Sequence, residues 1–454
     1  MAKRLAWVLS SILLVACGDG APVTNDDAGS PPAPDAAVIV DASSPKEASA
    51  DATTPPGPFP SGTCTGATIV HVSPSDGTSA IQQKIDSAPS GATICFAAGN
   101  YTIAGHLTPR SNLTFQGEGA PGPTLTPADG SSVVFQMQPT SLVTNVHFAG
   151  FKFAGRGFFV SGAHSITIDG CLFDGPILKG TANAHYIYFN SAPEITLTNS
   201  TFEGRWFDTS IQPSNDALDA CVQGYGGHLD FEHLSFRGCV YDSMHILDGP
   251  WGTIAYVESL LTPSLNIEIQ GGAAPNNQGL AIHHNHVWMP VFLSTTDETK
   301  NYGLFGMSIP ADQSANNTIY ANVLDYGDHP AGISGEREGI EVGGHDAQVH
   351  DNDIYVPSGI DCVVAAKGWN IAIHDNRCSA GSKPYEGEPG PGPGTYGNTS
   401  NNGPNVTPNF APLSSADDVR AQAGNPLDGH CVATDPKAPG YFAIGTSTVP
   451  VVCK

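Results

Sequence analysis

His245, Glu268 and Glu341 are residues of the types that move protons, and each sits between two apolar neighbours. The flanking pairs are Met244 and Ile246, Ile267 and Ile269, and Ile340 and Val342. In a strand, that alternation turns the flanking residues to one face and the middle residue to the other. If these strands lie side by side, two carboxyls and an imidazole share a face. Two carboxyls on either side of a glycosidic bond serve as general acid and general base, and an imidazole beside them can tune or replace either. Taken singly, a carboxylate on a sheet is an ordinary solvated charge that discourages edge pairing. The cluster carries the reading. The same pattern read along the chain gives an outward row of Tyr188, Cys221, His245, Glu268, Ser308, Glu341 and Val363, with Asp219 facing out just before Cys221. Tyr188 is read as a sugar-stacking platform. Arg337, in the run Gly335-Glu336-Arg337-Glu338-Gly339, is read as a loop cation placed over the same face.

What positions such a row is a repeat. Ile166-Ile168-Cys171-Phe173 has two apolar residues at period 2, a two-residue corner, a small residue and another apolar one. Earlier and later copies include Val146-Phe148-Phe151-Phe153, Ile195-Leu197-Ser200-Phe202, Leu229-Phe231-Leu234-Phe236, Ile254-Tyr256-Ser259-Leu261 and Leu280-Ile282-Asn285-Val287. Ile319-Asn322-Leu324, Val349-Asn352-Ile354 and Ile371-Ile373-Asn376-Cys378 follow. The corner positions are separated by 20 residues (151 to 171) up to 37 (285 to 322). Strand periodicity inside a variable repeat of this size predicts a solenoid with unequal loops. Asn285, Asn322, Asn352 and Asn376 fall at corners. Asparagine tolerates the left-handed conformation, and stacked amides can hydrogen-bond along the stack. Neighbouring coils lie about 4.8 Å apart, so Glu268 and Glu341, two coils apart, are expected on the order of 10 Å apart at the backbone. Side-chain tilt brings such carboxyls to the roughly 6.5–9.5 Å of inverting glycosidases.

The segment before the repeat is also specific. Ser79 to Ala88 places Ile81, Ile85 and Ala88 at helical spacing, which predicts a short amphipathic cap. Gly91-Ala92-Thr93-Ile94-Cys95-Phe96 and Gly99-Asn100-Tyr101 follow, then Ser111-Asn112-Leu113-Thr114-Phe115-Gln116-Gly117. This stretch resembles the entry segment of the pectin-lyase-like superfamily. The resemblance implies an all-β, right-handed parallel β-helix with a short N-terminal capping helix. It also implies a groove on the outer sheet that takes a polysaccharide. The superfamily holds lyases, hydrolases, epimerases, esterases and non-catalytic adhesins. The expectation is therefore polysaccharide cleavage, by hydrolysis or β-elimination, with a non-catalytic glycan-binding or adhesin-like surface protein as the alternative. Asn215-Asp216-Ala217-Leu218-Asp219 and Asp242-Ser243-Met244-His245 are faintly similar to polygalacturonase carboxylate strings, without that family's Gly-His-Gly and Arg-Ile-Lys strings.

The chain's ends and composition bound the rest. Lys3 and Arg4, the apolar run Leu5 to Val15 and the string Leu14-Val15-Ala16-Cys17 read as a secretory signal. That string resembles the lipobox of bacterial lipoproteins, which implies lipidation at Cys17 and places the protein at the outer membrane or cell surface. Residues 1–17 are read as the signal and 18–63 as a disordered tether of Pro, Ala, Asp and Ser. Residues 64–380 are read as the β-helix and 381–454 as a Gly/Pro-rich exit and cap. With 18 Lys+Arg against 43 Asp+Glu and a net charge of −25, the 454-residue chain is not built to bind nucleic acid. It is expected to act as a monomer, and the acidic floor favours a neutral glycan. Proximity suggests the disulfides Cys64/Cys95, Cys221/Cys239, Cys362/Cys378 and Cys431/Cys453 and leaves Cys171 free, although other connectivities stay open. His283, His284 and His286 crowd one corner, and His345-Asp346 and His350-Asp351 another, at spacings that match no metal motif. No metal ligand is assigned. Calcium is the cation the carboxylate supply would suit, though no Asp-x-Asp-x-Asp-Gly loop is present.

Overall fold

Every coil must return the chain to the same place one strand spacing further on, so its strands can only pair in parallel. A computed structural model shows this arrangement. It describes residues 62–413, with the longer interruptions at 176–184, 204–219, 289–303, 326–336, 392–398 and 401–409. Cys17, Asp219, the tether and the Cys431/Cys453 pair lie outside the described residues. Two sheets of 12 strands and one of 10 run along the molecule, and within them every described pairing is parallel. The first sheet runs from Ile69–Val72 to Ala372–His374, the second from Asn100–Ile103 to Phe410–Leu413, and the third from Phe135–Met137 to Lys383–Gly387. This is a right-handed parallel β-helix. Parallel pairing continues past residue 380, where Lys383–Gly387 joins Asp361–Ala365.

The described residues contain one helix, Thr78–Ser87, which buries Ile81 and Ile85 against the first coil. Tyr101 is buried beneath it and donates its hydroxyl to Val72 O (3.1 Å) and Ala97 O (2.8 Å). Inside the coils, Phe153, Phe173, Phe202 and Phe236 form a stacked column with centroids 5.0, 4.5 and 4.5 Å apart. Such pairs add roughly 0.5–1.5 kcal/mol each beyond burial. Further on, the asparagines take over. Asn285 donates through both N and Nδ2 to Asn322 Oδ1 (3.0 Å each), Asn322 repeats this with Asn352, and Asn352 with Asn376.

One local detail differs from expectation. The left-handed residues are those before the asparagines: His284, Ala321, Asp351 and Asp375, at φ 53° to 55°. The asparagines themselves turn inward and are at most 1% exposed, because their amides serve the ladder rather than the bend. The copy at residue 254 is two residues out of phase with the sequence pattern. Ile254 pairs with Ile282, so the inward pair is Gly252 and Ile254, and Tyr256 is the exposed left-handed corner. Gly252 hides the phase. A Cβ there would meet Leu229 O at 2.1 Å, so no apolar side chain marks the position.

The disulfides Cys64–Cys95, Cys221–Cys239 and Cys362–Cys378 are present, and Cys171 is free and buried, as proximity suggests.

Candidate functional site

The third sheet aligns the outward row. Tyr188 pairs with Gln223, Gln223 with His245, His245 with Glu268, Glu268 with Ser308, and Ser308 with Glu341. His245, Glu268 and Glu341 are therefore brought onto one face, with Ser308 between the two carboxyls. Two members of the expected row are corrected. Cys221 precedes its strand and is buried in a disulfide, and Gln223 occupies the row instead. Gly224 is the cause: it stands where an apolar residue is expected, because a Cβ there would lie 2.0 Å from the Phe189 ring. Val364, not Val363, pairs with Glu341, since all five residues of Asp361–Ala365 are buried and show no alternation. Arg337 is already in strand, opposite Leu304, rather than in the preceding loop.

These residues do not form an open floor. His245 and Glu268 are each 4% exposed, Ser308 3% and Gln223 6%, while Tyr188 and Glu341 are half-buried. Tyr188 stacks on Phe159 at 5.4 Å, lies near-parallel to His185 at 5.9 Å and meets Tyr225 edge-on at 6.1 Å. One of its ring faces is thus already used within the protein.

His245 Nε2 lies 3.4 Å from Glu268 Oε2, and Nδ1 lies 3.9 Å from Asp242 Oδ2. Neither ring nitrogen makes a hydrogen bond. Gln270 donates to Glu268 Oε1, and Ser308 Oγ donates to Glu341 Oε2 at 2.8 Å. Burial pushes Glu268 up to about 7; Gln270 and Asp242 pull against this through hydrogen bonds, and the charge of Glu341 adds a smaller upward push. Burial lowers His245 to about 4, so the imidazole is neutral at pH 7. One coil pair earlier, His185 is buried, holds Ala220 O through Nδ1 at 2.9 Å, and is likewise lowered to about 4, chiefly by burial. The site is thus a neutral imidazole beside a carboxyl that is about half protonated near neutrality. A second carboxyl stands two coils away, held by a hydroxyl. Groups whose environments separate their proton affinities in this way suit acid–base work.

Asp242, fully buried at the corner before the His245 strand, is marked in the sequence only by its faintly polygalacturonase-like string and not by strand alternation. Its neighbours in sequence give no strand alternation, and only the coil's closure brings it to His245 and Glu268. Ligand atoms of Asp242, His245 and Glu268 all lie within 4.8 Å of one another, a set able to hold a cation. Its imidazole makes it better suited to a transition metal than to calcium.

A coil of three parallel sheets with a row of ionisable side chains on one of them defines the class, a parallel β-helix protein. Residues 73–253 match the family described as "Rhamnogalacturonase A/epimerase, pectate lyase-like". That span includes Tyr188, Asp242 and His245 and ends before Glu268 and Glu341. The match supports the pectin-lyase-like superfamily. No curated protein matches the chain. Among solved structures it is similar to PfbA, a surface adhesin of Streptococcus pneumoniae, at 12% identity over 74% of this chain and 97% of that one (TM-score 0.43). It is also similar to a tailspike protein of E. coli bacteriophage HK620 in complex with a pentasaccharide, at 12% identity over 72% of this chain and 62% of that one (TM-score 0.48). A mannuronic acid specific polysaccharide family 6 lyase from human gut microbiota matches at 13% identity over 78% and 83% (TM-score 0.45).

Proposed function

We propose that the chain is an exported, lipid-anchored protein that cleaves a neutral polysaccharide by hydrolysis with inversion. The observation that carries this is the pairing of Glu268, pushed up to about 7, with Glu341 two coils away across Ser308. Two coils correspond to on the order of 10 Å between backbones, which suits the roughly 6.5–9.5 Å between the carboxyls of inverting enzymes. Glu268 donates its proton to the departing glycosidic oxygen. Glu341 takes a proton from water, whose oxygen bonds to the anomeric carbon from the opposite face. Both carboxyls then exchange protons with solvent and return to their starting states. Neutral His245 keeps the acid from being paired by a fixed cation. Tyr188, Asp219 and Arg337 are assigned to substrate contact along the groove, Tyr188 through its hydroxyl and edge because Phe159 occupies a face. A chain of net charge −25 repels polyanions, which supports a neutral substrate over the uronate that β-elimination requires.

A second reading, glycan binding without cleavage, is favoured by one observation: Glu268 and His245 are only 4% exposed, which is little access for a polymer. A polysaccharide panel separates the readings when it is assayed both for reducing ends and for unsaturated products absorbing in the ultraviolet. Reducing ends alone support hydrolysis, and unsaturated products mean elimination. Binding with neither signal supports the second reading.

The anchor is tested separately. Cys17→Ser is expected to move the protein from the membrane fraction to the soluble fraction, because the short apolar run before Cys17 cannot itself span a bilayer. Unchanged fractionation would count against lipidation.

A further inference from the structure

Two of the histidines that crowd the corners in sequence, His283 and His350, fall on the first sheet, apart from the His245, Glu268 and Glu341 row. His283 pairs with Tyr320, Tyr320 with His350, and His350 with His374, on four successive coils. Their rings form one column. Centroids are 4.7 Å apart for His283 and Tyr320, 5.3 Å for Tyr320 and His350, and 5.0 Å for His350 and His374; the last two rings are parallel to within 1°.

Each of the last two imidazoles is oriented by the residue after it. His350 Nδ1 bonds Asp351 Oδ2 at 2.8 Å, and His374 Nδ1 bonds Asp375 Oδ2 at 2.8 Å. Both aspartates are left-handed (φ 55° and 54°), which folds each carboxylate back onto the preceding ring. A carboxylate accepts only, so Nδ1 carries a proton, and in the neutral ring Nε2 is then the lone-pair nitrogen. Each ring bonds its aspartate through Nδ1, which leaves two parallel imidazole lone pairs on adjacent coils. The inner ring faces are taken up by one another, while the nitrogen edges face outward along the column.

We propose that His350 and His374 form a surface site for a divalent transition-metal ion of the zinc, nickel or copper class. Imidazole nitrogens select these ions over calcium and magnesium, which take oxygen ligands. Asp351 and Asp375 act as outer partners that fix ring orientation and raise ligand basicity. Zinc–nitrogen bonds of about 2.0–2.1 Å require the two Nε2 atoms to come within about 4 Å, closer than the 5.0 Å ring spacing. His374 supplies the movement, because its side chain is 44% exposed and its strand ends the described sheet. Water completes the coordination.

Isothermal titration of the full chain with Zn2+ alone tests the assignment. Wild type should bind the ion. His350→Ala and His374→Ala should each remove this binding event from the folded protein, as a lost Zn2+ equivalent in the titration. Asp375→Asn should weaken binding about 10- to 100-fold. His245→Ala should leave this binding event unchanged, and any Zn2+ it removes belongs to the separate Asp242, His245 and Glu268 set. No Zn2+ binding by wild type would overturn the proposal. So would wild-type binding by both His350→Ala and His374→Ala, or loss of all binding on His245→Ala alone.

Discussion

Glu268→Gln is expected to lower kcat on the cleaved glycan by roughly a hundred- to ten-thousandfold, the usual contribution of a positioned general acid. Glutamine keeps the shape and the neutral charge of the protonated carboxyl but has no proton to give, so KM should change little. The pH dependence has a definite sign. The acid must be protonated, so wild-type activity should fall as pH rises through about 7. Stability follows the same groups. Folded Glu268 holds a proton that the unfolded chain releases near 4.5, so its contribution is full below that pH and is lost as pH rises through about 7. His245 acts in the opposite sense. Lowered to about 4, it contributes above its ordinary 6.5 and loses that contribution as pH falls through about 4. In wild type the two oppose each other between 4.5 and 6.5. Glu268→Gln leaves only the histidine, and its urea midpoint should rise with pH across that range more steeply than that of wild type. Equal slopes would mean that Glu268 is not buried as a protonated acid.

Asn322→Ala is expected to cost the coil about 4 kcal/mol, since each buried group left unpaired costs about 1–3 kcal/mol. Asn322 Oδ1 accepts from Asn285 N and Nδ2 at 3.0 Å, and its Nδ2 donates to Asn352 Oδ1 and Ile282 O at 2.9 Å. Alanine would strand the Asn285 donors and the Ile282 carbonyl in a corner where Asn322 is 0% exposed. Asn376→Ala should cost less, because Asn376 ends the ladder and orphans Asn352 and Val349 O without interrupting a chain of amides. Urea denaturation of the two variants beside wild type measures the difference. A loss below about 1 kcal/mol in Asn322→Ala would mean that water replaces the amides.

The coil is legible in the sequence because few folds besides a solenoid carry a side-chain period of 2 inside a repeat of changing length. The asparagines mark the same corner in four successive copies. Phase is lost where glycine replaces an inward apolar residue, at Gly224 and Gly252. At Asp361–Ala365 it is lost because burial on both faces erases alternation. His245, Glu268 and Glu341 can be read because each lies mid-strand between apolar neighbours. Alternation misses Asp242 and Gln223, since one sits at a corner, marked only by a faint family-like string, and the other is put out of register by Gly224. Burial of the row is also invisible. Alternation tells which way a side chain leaves the coil, but not what lies over it.

The anomer first released by wild type from a glycan that yields reducing ends decides most directly whether Glu268 and Glu341 act from opposite faces of the sugar. Proton NMR taken before mutarotation should show the inverted configuration, with the signal lost in Glu268→Gln. Retained configuration, or a product carrying a new carbon–carbon double bond, would contradict the assignment of acid and base.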